Sequence, residues 1–139
     1  MRNNFRREKG RKYNNVVTQH NGIKFDSKKE MQRYIILKEA EESGIISDLQ
    51  LQVRYELIPA VTEEYTVHLK TKDTTKTRTL QRAITYTCDF QYCKDGELVV
   101  EDVKASAAML PKEFILKEKL MFALKGIKIK RVFSAKDEI

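Results

Sequence analysis

Asp95-Gly96 interrupts two apolar, β-rich runs, AITYTCDFQYCK before it and ELVVEDVK after it. An Asp-Gly pair supplies the two positive-φ positions of a type I′ turn, the two-residue connection whose twist matches the strands it joins. With those two as the loop residues, Lys94 faces Glu97 and every pair further out is determined, so Asp89 falls opposite Asp102. Facing pairs alternate between hydrogen-bonded and non-hydrogen-bonded outward from the turn. Asp89–Asp102 belongs to the second kind, in which Cβ atoms stand roughly 4.5–5.5 Å apart. Side chains repeat every two residues along a strand, so Lys104 shares the face of the two acids and Glu101 points away from it.

Two facing carboxylates repel, so one must take up a proton or something must sit between them. A divalent cation removes the conflict. Hard oxygen donors on adjacent strands suit Mg²⁺, which takes one or two carboxylates, keeps several waters and accepts substrate phosphate oxygens. The ammonium of Lys104 beside them can neutralise charge on a scissile phosphate or help orient a water. The competing reading is a solvated sheet edge, with each acid paired to a neighbouring Lys or Arg.

The rest of the chain supplies a framework for this hairpin. FDSKKEMQRYIILKEAEESG reads as a helix. Ser27 and Glu30 fit a capping box, Met31, Tyr34, Ile35 and Lys38 keep helical spacing with Ile36 and Leu37 widening the apolar face, and Gly44 supplies the left-handed stop. DLQLQVRYELIP changes period: Leu49, Leu51, Val53, Tyr55 and Leu57 alternate with polar residues as one strand that Pro59 ends. EEYTVHLKTKDTTKTRTLQR reads as an exposed, Thr-rich hairpin turning around Lys72–Thr75, either a DNA-contacting ribbon or a solvated one. LPKEFILKEKLMFALKG reads as a second helix, with Pro111 near its start and Gly126 after its end. Phe114, Leu116, Lys117, Leu120, Met121 and Leu124 form its mixed core and basic face. IKIKRVF is a last short strand. The expected order is helix, strand, hairpin extension, strand, strand, helix, strand.

With 139 residues the chain is expected to be one domain with a core that needs no disulfide or structural metal. The two cysteines, Cys88 and Cys93, have opposite strand parity and are expected on opposite faces, reduced. Neither forms a zinc pattern with His20 or His68. There is no membrane-spanning apolar run and no signal-peptide core, and the reduced cysteines are expected in a reducing cytoplasm. The net charge is +7, which favours a polyanionic partner, although ribosomal and membrane-surface proteins share such a balance. Most of it lies in MRNNFRREKGRKYNN, where Arg2, Arg6, Arg7, Lys9, Arg11 and Lys12 stand against Glu8 alone. Residues 1–19 therefore read as a flexible basic arm, for phosphate binding or for solubility, and residues 20–139 as the domain.

Asp89 followed by Asp102-Val103-Lys104 resembles the PD-(D/E)xK signature of the restriction-endonuclease-like nuclease superfamily, and the element order resembles its αβββαβ core. KYNN, GIKFDSKKE, ISDLQLQ, AITYTCDF and VVEDVK together resemble a phage and prophage family labelled as a domain of unknown function and placed among these nucleases. The likeness spans roughly residues 12–132. It implies an α/β (α+β, mixed-sheet) fold with an inserted β-hairpin and the basic N-terminal arm. It also implies Asp89 and Asp102 as metal ligands, the Val103 carbonyl as a further one, and Lys104 as the catalytic lysine. Glu30 resembles an additional acid brought to the metal by the first helix, a role that competes with capping, and Gln52 matches a glutamine of the first strand. Cys88 stands where the signature has Pro, and Asp102 where Glu is commoner.

The expected function is a Mg²⁺-dependent DNA endonuclease, with Mn²⁺ able to substitute. By analogy with Holliday-junction resolvases it would act on branched DNA as a homodimer in a bacterial host cell. Arg6, Arg7, Arg11, Lys12 and Lys117 are the expected DNA contacts. The alternative is a non-catalytic DNA-binding protein of phage replication or recombination, which leaves the facing aspartates unexplained. A structural or assembly protein has no specific feature in its favour.

Overall fold

The computed structural model describes residues 17–139. In chain order these form a short hairpin of β1 (Thr18–His20) and β2 (Ile23–Phe25), helix α1 (Lys28–Glu42), β3 (Ser47–Leu51), β4 (Arg54–Ile58), β5 (Val61–His68) and β6 (Asp73–Gln81). There follow β7 (Ile84–Thr87), β8 (Phe90–Lys94), β9 (Glu97–Val103), a single 3₁₀ turn, helix α2 (Lys112–Lys125) and β10 (Lys130–Val132). The fold is mixed α+β. Strands β10, β9, β8 and β3 form one sheet in that order, with β10 parallel to β9 and the other neighbours antiparallel. The pairs β1–β2, β4–β7 and β5–β6 form separate two-stranded ladders.

Asp95 and Gly96 have φ of 52° and 78°, and the ladder runs from Lys94 opposite Glu97 to Phe90 opposite Glu101. The expected register therefore holds from the turn out to Phe90 and Glu101 and stops short of the expected Asp89–Asp102 pair, because Asp89 as well as Phe90 lies against Glu101. There the strand breaks. Expected strands 49–57 and 83–92 are each split, at Gln52-Val53 and Cys88-Asp89. The two breaks face each other: the Gln52 N–H donates to the Asp89 carbonyl at 3.1 Å and the Cys88 N–H to the Val53 carbonyl at 3.0 Å. Gln52 takes a left-handed φ of 52°, and the Asp89 N–H donates to the Glu101 carbonyl at 3.1 Å. This is a bulge, which bends both strands together and shifts side-chain parity by one residue.

The shift has a visible consequence. Cys88 packs with Tyr86 and Val100 in one core, whereas Phe90 and Tyr92 pack in the other. Cys93 alternates with Gln91, the partner of Val100, so both free cysteines fall on one face. Their expected placement on opposite faces is corrected by the bulge between them.

The two cores lie on opposite faces of the sheet. Phe114 and Met121 of α2 meet Leu57, Tyr86, Cys88, Val100 and Ile129 on one side. Leu37 and Ala40 of α1 meet Phe25, Ile46, Phe90 and Tyr92 on the other. The inward line of α1 differs from the expected one. Glu30, Arg33, Leu37 and Ala40 are its buried residues, while Met31, Tyr34, Ile35 and Lys38 are half-buried at its flanks. Arg33 can occupy that line because its guanidinium forks onto Glu101, at 2.9 Å from Nε and 2.5 Å from Nη2, and also donates to the carbonyls of Ala135, Asp137 and Glu138. On α2, Leu116 and Leu124 are exposed rather than part of the core.

The Thr-rich hairpin is exposed along most of its length, but it turns at residues 69–72, closed by the Leu69 N–H on the Lys72 carbonyl at 2.9 Å. Asp73 already pairs with His68, which moves the apex ahead of the expected Lys72–Thr75. β1 opens at Thr18, within the 1–19 stretch read as the arm. Among the described residues no helix is long and apolar enough to cross a membrane.

Candidate functional site

The bulge re-aims Asp89. Its Oδ2 accepts the Val103 N–H at 2.7 Å, and its Oδ1 accepts from Gln52 Nε2 at 3.4 Å. The same Gln52 Nε2 donates to Glu30 Oε1 at 3.2 Å. Gln52 thus bridges two carboxylates that come from α1 and from the broken strand.

Glu30 serves the helix and the cluster with different atoms. Its backbone N–H donates to Ser27 Oγ at 3.1 Å and caps α1, leaving the carboxylate for Gln52. Capping through the amide and the contact with Gln52 through the carboxylate therefore coexist in one residue. Glu30 is 6% exposed. Burial, then the charges of Asp89, Asp26 and Asp102, push its pKa up to about 7, against a smaller opposing pull from the Asp26 backbone N–H. Burial and the charge of Asp102 likewise raise Asp89 well above the usual carboxylate range, although the Val103 N–H, Lys104 and Gln52 oppose the rise.

Asp102 lies on the α2 side of β9 and is buried. Lys104 Nζ stands 2.8 Å from its Oδ1, and the Tyr86 hydroxyl donates to its Oδ2 at 2.6 Å. The Lys104 ammonium also sits 4.1 Å from the centre of the Phe114 ring, within cation–π range. An open depression of about 360 Å³ begins at this pair, lined by Tyr86, Asp102, Lys104, Pro111, Phe114 and Lys117 among others. Lys117 lies on its wall with Nζ 2.9 Å from Glu113 Oε1. The backbone around Lys104 is tied down from both sides. Its N–H donates to the Val132 carbonyl at 2.8 Å, and Lys29 Nζ reaches the carbonyls of Lys104 and Ala105 at 3.3 and 3.2 Å.

Neighbouring acids on β9 have opposite fates. Glu101 is fully buried and saturated by the Arg33 fork, the Tyr92 hydroxyl at 2.5 Å and Lys130 at 3.8 Å. Its charge is spent on structure. Asp102 has one ammonium partner and opens onto the depression.

The structure therefore brings Glu30, Gln52 and Asp89 into one hydrogen-bonded chain, with Asp102 and Lys104 as an adjoining pair. Val103 contributes its N–H to Asp89. Arg6, Arg7, Arg11 and Lys12 lie outside the described residues. Reading the sequence missed Tyr86, Lys29 and Arg33. Tyr86 sits in an apolar alternation that reads as core, and the two basic residues lie on a helix whose charges read as solvated.

The carboxylates of Glu30, Asp89 and Asp102 are hard oxygen donors of the kind Mg²⁺ prefers. Among the described residues no three His, Cys, Asp or Glu side chains are grouped closely enough to hold a metal ion between them. The chemistry instead matches a cation that takes one or two carboxylates and completes its shell with water and phosphate. Burial, and after it the neighbouring acids, favour the protonated forms of Glu30 and Asp89 in the metal-free protein.

Fold and site together define a mixed α+β protein in which a chain of Glu30, Gln52 and Asp89 adjoins the Asp102–Lys104 pair at a break in its strands, beside a lysine-lined depression. The profile of the family described as "Protein of unknown function (DUF1064)" matches residues 10–137, and the chain belongs to that family. No curated protein and no solved structure matches it.

Proposed function

We propose that this protein is a divalent-metal-dependent nuclease of the PD-(D/E)xK type that hydrolyses phosphodiester bonds in DNA. The observation that carries the reading is the convergence of Glu30, Gln52 and Asp89 beside the Asp102–Lys104 pair. The order α1, β3–β4, β7–β8, β9, α2, β10, with β5–β6 inserted, supports an αβββαβ restriction-endonuclease-like core.

Asp89 and Asp102 would hold Mg²⁺ or Mn²⁺, with Glu30 and the Val103 carbonyl as further candidate oxygens. The ion, when bound, supplies Lewis acidity toward a phosphoryl oxygen and acidifies a water. The chain's own residues do the rest. Gln52 keeps Glu30 and Asp89 at a fixed separation. Lys104, partly exposed at the mouth of the depression, places a positive charge where a phosphate would enter and can orient the attacking water. Lys117 offers a second cation on the same wall. A branched substrate, a homodimer and a bacterial cytoplasmic setting belong to the proposal through the family resemblance alone.

The test is cleavage of supercoiled plasmid and synthetic four-way junctions with Mg²⁺ or Mn²⁺. Asp89→Ala and Asp102→Ala should abolish cutting, and Lys104→Ala should slow it by about 10²–10⁴-fold. Tight DNA binding by the wild type with no cleavage under any divalent metal would refute the enzyme and leave a DNA-binding protein.

A further inference from the structure

We infer that Tyr86 is a positioning residue for Asp102, holding the carboxylate's plane through Oδ2 while leaving its negative charge in place for a cation. The chemistry rests on the nuclease reading, but the observations are independent of it. Tyr86 is 4% exposed, and its ring is packed among Leu57, Cys88, Val100, Phe114 and Met121. Packing alone would be met equally by Phe. A buried tyrosine hydroxyl is kept where it finds a partner, and here the partner is Asp102 Oδ2 at 2.6 Å.

The kind of donor matters. On the opposite face of β9, the Tyr92 hydroxyl grips Glu101 at 2.5 Å in the same way. There the Arg33 guanidinium adds a full positive charge at 0% exposure, and the acid is neutralised. Tyr86 adds no charge, and Asp102 keeps its one ion pair, with the partly exposed Lys104 rather than with a buried guanidinium. The Tyr86 hydroxyl fixes orientation and occupies one lone pair of Oδ2, and a carboxylate has about four lone-pair sites. With Oδ1 turned toward Lys104 and the depression, the remaining sites stay available where metal and phosphate would meet. Donors of this kind behind a metal ligand typically affect metal affinity or activity by about 10–100-fold when removed.

The experiment is Mn²⁺ binding without DNA, followed by electron paramagnetic resonance, on wild type, Tyr86→Phe, Tyr92→Phe, Asp102→Asn and the double variant Tyr86→Phe/Asp102→Asn. Tyr86→Phe should weaken Mn²⁺ binding about 10–100-fold and lower kcat for plasmid cleavage with KM for DNA unchanged. Tyr92→Phe removes an equivalent buried hydroxyl on the other face and should leave Mn²⁺ affinity unchanged despite a similar fall in melting temperature. In the Asp102→Asn background the Tyr86 change should have no further effect. If Tyr86→Phe binds Mn²⁺ as wild type does while Asp102→Asn does not, the positioning role is wrong and the metal site stands. If the wild type binds no Mn²⁺ without DNA, the positioning role fails, and metal-dependent plasmid cleavage decides the nuclease reading separately. Should Tyr86→Phe not fold, wild type labelled at tyrosine Cζ provides the check. The Tyr86 resonance must move saturably with added Mg²⁺, and a resonance that stays still overturns the inference.

Discussion

Replacing Arg33 by Met tests how much of the fold hangs on one buried charge pair. Arg33 and Glu101 are both 0% exposed, so the variant leaves the Glu101 carboxylate in a dry interior with only the Tyr92 hydroxyl and a Lys130 ammonium 3.8 Å away. Breaking a buried pair by removing one partner costs about 3–5 kcal/mol, a large share of the roughly 5–15 kcal/mol that stabilises a domain. With a urea m-value of about 2 kcal/mol/M, the unfolding midpoint should fall by about 2 M. The carbonyls of Ala135, Asp137 and Glu138 lose their donor as well, so some of the loss is unrelated to Glu101. Arg33→Met/Glu101→Gln separates the two contributions. Glutamine keeps an acceptor for Tyr92 and removes the unpaired charge, so it should recover about 1–3 kcal/mol of the loss. A single variant within about 1 kcal/mol of wild type, or a double variant no better than the single, would refute the claim that Glu101's charge is spent on structure.

Glu30→Gln should change the pH dependence of stability in the metal-free protein. The folded-state pKa of Glu30 is raised from 4.5 to about 7, so its contribution is fully present below pH 4.5 and is lost as pH rises through 7. The loss is on the order of 3 kcal/mol, and the variant should flatten it when urea midpoints are compared at pH 5 and pH 8. Ser27→Ala removes the acceptor for the Glu30 amide and should cost about 1 kcal/mol in urea unfolding while sparing turnover by folded protein. Lys29→Met releases the carbonyls of Lys104 and Ala105. It should lower kcat for plasmid cleavage about tenfold with the melting temperature falling by only about a few degrees, since one bond is part-buried, the other exposed, and each is worth about 1 kcal/mol.

What could be read from the sequence followed the range over which each signal acts. The Asp95-Gly96 turn acts over two residues and carried the register outward to Phe90 and Glu101, which is why the neighbourhood of Asp89 and Asp102 was legible. Gly126 beyond α2 and Ser27 ahead of α1 were legible for the same reason. The bulge was not, because neither Gln52 nor Cys88-Asp89 contains a Gly or Pro to mark a break. Gln52 adopts its left-handed conformation through partners 37 residues away. Arg33 was hidden by distance too: the acid that lets it be buried lies 68 residues further on. The β1–β2 hairpin had a local signal in Asn21-Gly22, but strands of three residues each are too short to show alternation. Leu116 and Leu124 keep helical spacing yet are exposed, because α2 buries only the line through Phe114 and Met121.

The central claim is that Asp89 and Asp102 share a divalent ion in the act of binding DNA. The most direct measurement is a crystal of the protein with a DNA junction, soaked in Mn²⁺ and recorded at a wavelength where manganese scatters anomalously. The account predicts a peak between the two carboxylates, lost in Asp89→Ala and Asp102→Ala. No peak there at saturating Mn²⁺ with DNA in place would contradict it.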